Sequence, residues 1–292
     1  MTVNISSINN QIGRLHMSHQ YRQLTIKRDR PSLWQVTIGN PPINMFDPDT
    51  FLELQQLVTD IEASDELNVV VFDSADPDFF VAHYNTARVP DASAKPGPTG
   101  HPPWTDFMLR MQRSPVVSVA KIRGRTRGVG SEFALICDIR FASLEKAIFG
   151  QPEVGAGLIP GGGGMERLPL LVGRARAAEI ILGADDFDAA TAERYGWINR
   201  AIPDWQLDEF VANFANRVAS FERKALEEAK RLLNRKTLPT IDDFQGSQKV
   251  FLEAFGWPGT APRQLKLREM GMGTRSDLEI RFGHYLPDLS HT

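Results

Sequence analysis

Two largely apolar runs constrain the fold of this chain most. "NVVVFDS" begins at Asn68 and "SPVVSVAKI" begins at Ser114. Neither alternates polar with apolar residues, so each needs cover on both faces, as in the buried strands of a parallel sheet. Parallel neighbours need crossover connections. Ahead of the first run, Phe51, Leu54, Leu57, Val58 and Ile61 fall on one helical face. The turn-rich "NPPINMFDPDT" before them offers Asp47 or Asp49 as the helix cap. Further upstream, "YRQLTIKRD" and "SLWQVTIGN" alternate and read as a hairpin closed near Asp29, Arg30 and Pro31. Downstream, "CDIRFAS" and "AIFG" read as short strands. The class is α/β.

The stretch "VPDASAKPGPTGHPPW", residues 89 to 104, holds five prolines and two glycines and predicts no regular structure. A short helix from about Trp104 to Arg113 follows it. Residues 174–182 and 189–195 read as short helices. Leu207, Phe210, Val211, Phe214 and Val218 mark an amphipathic helix, and Ala225, Leu226, Ala229, Leu232 and Leu233 mark another. The tail after Pro258 is rich in glycine and charge and carries little periodic signal. No repeat of 20 to 50 residues is visible in the sequence. The expected division is a loose arm over 1–20, a core over 21–205 and a helical region over 206–292.

Composition narrows the function classes. The 292 residues are 42% apolar and 24% charged, which permits a packed core. The net charge of −3 speaks against bulk nucleic-acid binding, and no aromatic stacking set accompanies the Arg-Gly pattern near residue 125. The single cysteine, Cys137, can make no internal disulfide. The first twenty residues are polar and lack a signal-like apolar stretch, and no run approaches the length of a membrane span. The expectation is a soluble cytoplasmic protein with neither a nucleic-acid nor a membrane partner. Six scattered histidines suggest no metal site.

Chemistry concentrates in two stretches. In "KIRGRTRGVGSEF" a strand gives way to a helix through Gly124, Gly128 and Gly130. Glycines there let backbone N–H groups approach a ligand, and the helix start favours an oxygen gaining negative charge. The same glycines would also serve a plain tight turn. No P-loop lysine follows, and no nucleophile-elbow motif is present. Glu132 sits in the first turn of a helix that continues Phe133, Ala134, Leu135, Ile136 and Cys137. Apolar surroundings push a carboxyl pKa up, which suits proton transfer near neutral pH. A helix-start glutamate that only complements the dipole remains the alternative. The second stretch is "FGQPEVGAGLIPGGGG", residues 149–164, where Glu153 precedes a glycine-rich bend. Two carboxyls together can hold one water and pass protons to and from it.

These motifs, with "NPPINMF", "DPDFFVAHYN", "FGQPEVGAGLIPGGGGMERLPLLVGRARAAEIILG" and "AERYGWINRAIP", resemble the crotonase (enoyl-CoA hydratase/isomerase) superfamily over roughly Tyr21 to Leu233. The resemblance implies a spiral of repeated strand–strand–helix turns with a C-terminal helical trimerisation region, giving a homotrimer or a dimer of trimers. It implies an acyl-CoA substrate, with coenzyme A as part of the substrate and no tightly bound cofactor. It implies Glu132 and Glu153 as the catalytic glutamates, and the backbone amides of Ala82 and Val129 as the oxyanion hole. The leading activity is hydration of an α,β-unsaturated acyl-CoA. Isomerase, lyase or thioester hydrolase chemistry on the same enolate, or a non-catalytic scaffold, are the alternatives.

The sequence departs from the family pattern in three places. His83 and Asn85 stand where glycine and aspartate are usual, so His83 is a candidate substrate contact. Val129 interrupts the usual glycine run. Arg123, Arg125 and Arg127 crowd the glycine junction, and Arg125 and Arg127 are candidates for an anionic acyl group or the CoA phosphates. An ion-pair network is the other reading. The last 35 or so residues do not match the family ending.

Overall fold

The computed structural model describes residues 21–290. The expected arm, residues 1–20, lies outside the described residues. Strands β1 (Leu24–Arg30) and β2 (Leu33–Ile38) form the expected antiparallel hairpin, with Arg30 opposite Leu33. Helix α1 (Pro48–Glu62) follows. Of the two candidate caps it is Asp47 that serves: its carboxylate accepts from the Thr50 amide at 2.9 Å, and Thr50 Oγ1 accepts from the Asp47 amide at 3.2 Å.

Three strand–strand–helix turns then succeed one another. The first is β3 (Val69–Ser74), β4 (Phe79–Val81) and α2 (Pro103–Arg113). The second is β5 (Val117–Ile122), β6 (Arg125–Arg127) and α3 (Val129–Ile136). The third is β7 (Ile139–Ser143) and β8 (Ile148–Gly150), closed by α4 (Gly164–Val172) and α5 (Arg174–Gly183). Strand β9 (Asp186–Asp188), α6 (Ala189–Tyr195) and β10 (Arg200–Ile202) complete the spiral. One strand of each turn joins a six-stranded sheet, β1-β2-β3-β5-β7-β10, and the other joins a four-stranded sheet, β4-β6-β8-β9. Within the large sheet β2, β3, β5, β7 and β10 run parallel.

Strand β3 shows why its run is unbroken. Val70 and Phe72 enter the main core with Leu54, Leu57 and Phe133. Val69 and Val71 face the opposite side, against Leu207, Val211, Ala215 and Val218 of α7 (Asp204–Ala219). The apolar stripe of α7, in the region expected to join subunits, is therefore buried on its own sheet. The next helix, α8 (Arg223–Thr237), leaves Leu232 and Leu233 exposed.

The proline-rich stretch contains a short 3-10 turn at Thr86–Asp91 and is otherwise irregular until α2 begins at Pro103. Helix α9 (Ile241–Ala254) precedes the tail. The tail, which carried little periodic signal, folds into α10 (Thr260–Glu269), α11 (Asp277–Ile280) and α12 (Phe282–Tyr285). Leu267, Leu278, Phe282 and Leu286 pack there against Ala156 and Ala184 of the core. Elements this short cannot display a helical period, so the pattern was invisible in the sequence. Among the described residues no helix is long and apolar enough to cross a membrane.

Candidate active site

A cavity of about 360 Å³ is walled by α1, the segment after β4, the loop before α2, the start of α3, the loop after β8, α9, and the C-terminal segment. Glu132, Glu153 and His83 line it, and among the described residues no lysine or arginine does. Among the described residues no group of three or more His, Cys, Asp or Glu side chains could hold a metal ion.

Glu132 projects from the first turn of α3 and is 3% exposed. Its Oε1 accepts from the amides of Gly162 and Gly164 at 2.8 and 2.9 Å. The glycine run exists to make this approach. A Cβ on Gly162 would stand 2.2 Å from Glu132 Oε2, and Gly163 takes φ +112°, a conformation that disfavours other residues. Burial pushes the Glu132 carboxyl well above the ordinary carboxylate range, and the two amides pull it back only in part.

Glu153 sits just beyond β8, surrounded by protein but open to the cavity. The Gln151 side-chain amide donates to both its oxygens at 3.2 Å. Burial first, and then the Glu132 charge, push its carboxyl above the ordinary range. Two carboxyls coupled in this way do not readily ionise together.

The two expected oxyanion amides fare differently. Val129 is the first residue of α3, where intrahelical bonding leaves N–H groups free, and it lines the cavity. Its β-branched side chain causes no strain, because Gly128 before it makes the turn at φ +52°. Ala82 is a correction. Its amide donates to the Asn44 carbonyl at 3.2 Å, and Ala82 does not line the cavity. Among the described residues neither the His83 nor the Tyr84 amide has an acceptor, and both residues line the cavity. Residues 83 to 85 bridge to Phe46 through the His83 carbonyl and the Asn85 amide, leaving the Tyr84 amide out of the ladder.

His83 is in the wall, as the sequence suggested, but its polar atoms are engaged. Nδ1 faces the Tyr84 carbonyl and Nε2 faces Glu279 Oε1, each at 2.9 Å. Both partners are acceptors, since Glu279 Oε1 also accepts from the Gly273 amide at 2.8 Å. The geometry therefore suits an imidazolium that donates from both nitrogens. Burial alone would pull His83 down; the Glu279 carboxylate and the Tyr84 carbonyl outweigh it and hold the group above its ordinary value. Glu279 is fully buried, yet His83 and the Gly273 amide overcome its burial and hold it below the ordinary range. Sequence reading missed Glu279 because its partner lies 196 positions away.

The arginines lie away from the cavity, contrary to the expectation that Arg125 and Arg127 meet substrate. Arg127 is fully buried, grips Asp186 with two bonds of 2.6 and 2.7 Å, and donates to the Glu279 carbonyl at 2.7 Å. Arg125 donates to the Ile280 carbonyl at 3.3 Å. Arg123 holds Asp204 and Asp208 at 2.8 and 2.9 Å, tying the junction to α7. A buried guanidinium needs such partners, and here the fold supplies them.

The sequence model of the Enoyl-CoA hydratase/isomerase family matches residues 28–256. The chain belongs to this family. A short-chain-enoyl-CoA hydratase of Clostridium acetobutylicum is 33% identical over 222 residues, 76% of this chain and 84% of that protein. A crotonyl-CoA hydratase of Syntrophomonas wolfei is 31% identical over 218 residues, 73% of this chain and 81% of that one. Among solved structures, a candidate enoyl-CoA hydratase from Streptomyces avermitilis superposes with TM-score 0.87 at 39% identity, covering 94% of this chain and 98% of that chain. This member of the enoyl-CoA hydratase/isomerase family is an enzyme with the α/β spiral expected from its motifs. The family match ends at residue 256, before the segment that supplies Glu279.

Proposed function

We propose that the chain adds water across the double bond of an α,β-unsaturated acyl-CoA. The observation that carries this reading is the meeting of the Glu132 and Glu153 carboxyls on one cavity with the Tyr84 and Val129 amides, which have no acceptor among the described residues. The thioester oxygen lies between the amides of Tyr84 and Val129. Charge that builds on it as the enolate forms meets those N–H dipoles and the start of α3. A water lies between Glu132 and Glu153. Glu132 has two amides to support its charged form, so it accepts the proton of the water as hydroxyl bonds to Cβ. Glu153, supported by the Gln151 side chain and its own backbone amide, holds a proton and delivers it to Cα. Return of a proton from Glu132 to Glu153 resets the pair. Coenzyme A enters and leaves as part of substrate and product.

Glu132→Gln and Glu153→Gln should each lower turnover by about 10²–10⁴-fold, the usual general acid–base contribution. Both should still fold, since glutamine keeps the volume and adds no buried charge. Hydration at near wild-type rate in both variants would overturn the reading.

The same proposal includes self-association as a homotrimer or dimer of trimers. Trp205, Leu182 and Leu233 are 80%, 70% and 67% exposed and offer apolar surface for a neighbouring subunit to cover. Light scattering at micromolar concentration should give a multiple of three chains, and a monomer would contradict it.

A further inference from the structure

We infer that the acyl group is bulky, uncharged and flat: an aryl group conjugated to the double bond. This rests on the hydratase reading and adds the substrate class to it.

Three features of the cavity select that class. The first is charge. Among the described residues no lysine or arginine lines the wall, and His83 there is already paired with Glu279. A carboxylate on the acyl arm would be buried without a partner, which is costly. The second is size. The cavity of about 360 Å³ takes the thioester end of the CoA arm as well as the acyl group, and its apolar wall gains affinity only where the acyl group covers it. The third is shape. Phe51 stacks on Tyr84 with ring centres 5.2 Å apart and planes 25° apart. Phe51 also lies 4.9 Å from Trp104 at 31°. All three residues line the cavity.

This stack is fixed relative to the chemistry. The Trp104 indole N–H donates to the Gly162 carbonyl at 3.2 Å, and the Gly162 amide holds Glu132. Tyr84 also carries the candidate oxyanion amide. The stack is therefore anchored at one end by the residue that carries the candidate amide and at the other by the loop that holds Glu132, and in this proposal the substituent on Cβ lies against it. Pro48, Pro102 and Pro103 stiffen the same wall. A rigid slab suits a rigid ring, which loses little conformational freedom on binding. A flexible alkyl chain loses more.

The test runs the reaction as dehydration, where the Cα–H and Cβ–OH bonds break, the double bond forms and water leaves. The probes are the CoA thioesters of 3-hydroxy-3-phenylpropanoate, 3-hydroxyoctanoate and 3-hydroxybutanoate. The phenyl probe should have a kcat/KM about 10-fold or more above both alkyl probes, within the range that filling a hydrophobic pocket provides. Phe51→Leu should reduce that ratio, and Phe51→Tyr, which keeps a ring, should preserve it. In parallel, calorimetry should show cinnamoyl-CoA binding more tightly than crotonyl-CoA to the Glu153→Gln protein. An octanoyl or butanoyl probe that matches or exceeds the phenyl probe overturns the aryl inference and leaves the hydratase reading standing. Tighter binding of cinnamoyl-CoA with no dehydration of any probe overturns the hydratase reading and leaves the aryl pocket standing. Equal or weaker binding of cinnamoyl-CoA overturns the aryl pocket.

Discussion

Glu132 and His83 line the same cavity and both are buried, yet they are held in different ways. Backbone amides hold Glu132, from a loop whose glycines leave no room for side chains. His83 is held by a side chain from the far end of the chain, Glu279, on a segment that Arg127 grips through its carbonyls. The first arrangement fixes a position within tenths of an ångström and tolerates no added atom. The second sets a charge balance and holds a wall in place. Reaction chemistry needs the former, because a shift of about 1 Å in a reacting group can cost 10²-fold in rate. The boundary of a binding pocket can be built from the latter.

Perturbing each wall should therefore give a different signature. The largest effect on stability should come from Glu279→Ala. It leaves the His83 cation buried without its partner, and breaking such a pair costs about 3–5 kcal/mol. Chemical denaturation would measure the loss, and in the folded fraction KM should rise more than kcat falls. An unchanged unfolding midpoint would contradict the ion-pair account. Next is Gly162→Ala, which displaces Glu132 from its cradle. Turnover should drop about 10²-fold with KM little changed, as steady-state kinetics would show.

A third effect separates the two walls by pH. Glu132 and Glu153 have folded pKa values raised above the ordinary 4.5, so their contribution to stability is full below that value and is lost as pH rises through the folded values. Replacing both by glutamine should make the protein progressively more stable than wild type between mildly acidic and alkaline pH. The His83–Glu279 pair behaves otherwise. His83 is raised above 6.5, so its contribution is full below 6.5 and is lost as pH rises through the folded value. Glu279 is lowered below 4.5, so its contribution is present above 4.5 and is lost as pH falls through the folded value. Glu279→Gln should therefore cost most between about 4.5 and 6.5. Melting temperatures across the range would check both trends. The smallest effect is expected from Arg125→Met, which removes one long hydrogen bond worth about 1 kcal/mol or less and should leave substrate preference unchanged.

The same contrast explains what could be read from the sequence. The core strands were legible because burial on two faces forces an unbroken apolar run, as in Val69 to Phe72. Glu132, Glu153 and their glycines were legible because close approach and positive φ leave glycines in the chain. The segment expected to offer an amide does reach the cavity, but the Ala82 amide is engaged, so the proposed role moves to Tyr84. Ala82 and Tyr84 both lie in "FFVAHYN", and only the bond from Ala82 to the Asn44 carbonyl shows which is occupied. Arg125 and Arg127 do face the same way, as alternate residues of a strand should, and both donate to the Ile280 carbonyl. What they face is the C-terminal segment rather than substrate. That segment left no local signature, because its helices are short and its partners, from Ala184 to His83, are distant in the sequence.

The central claim is that Glu132 and Glu153 add water to carbon. It is tested most directly by incubating wild-type protein and Glu153→Gln with an unsaturated acyl-CoA in ¹⁸O-labelled water and locating the label by mass spectrometry. The account predicts the label in a hydroxyl on Cβ of an intact thioester, formed about 10²–10⁴-fold more slowly by the variant. Label in a free carboxylate, or equal rates for the two proteins, would contradict it.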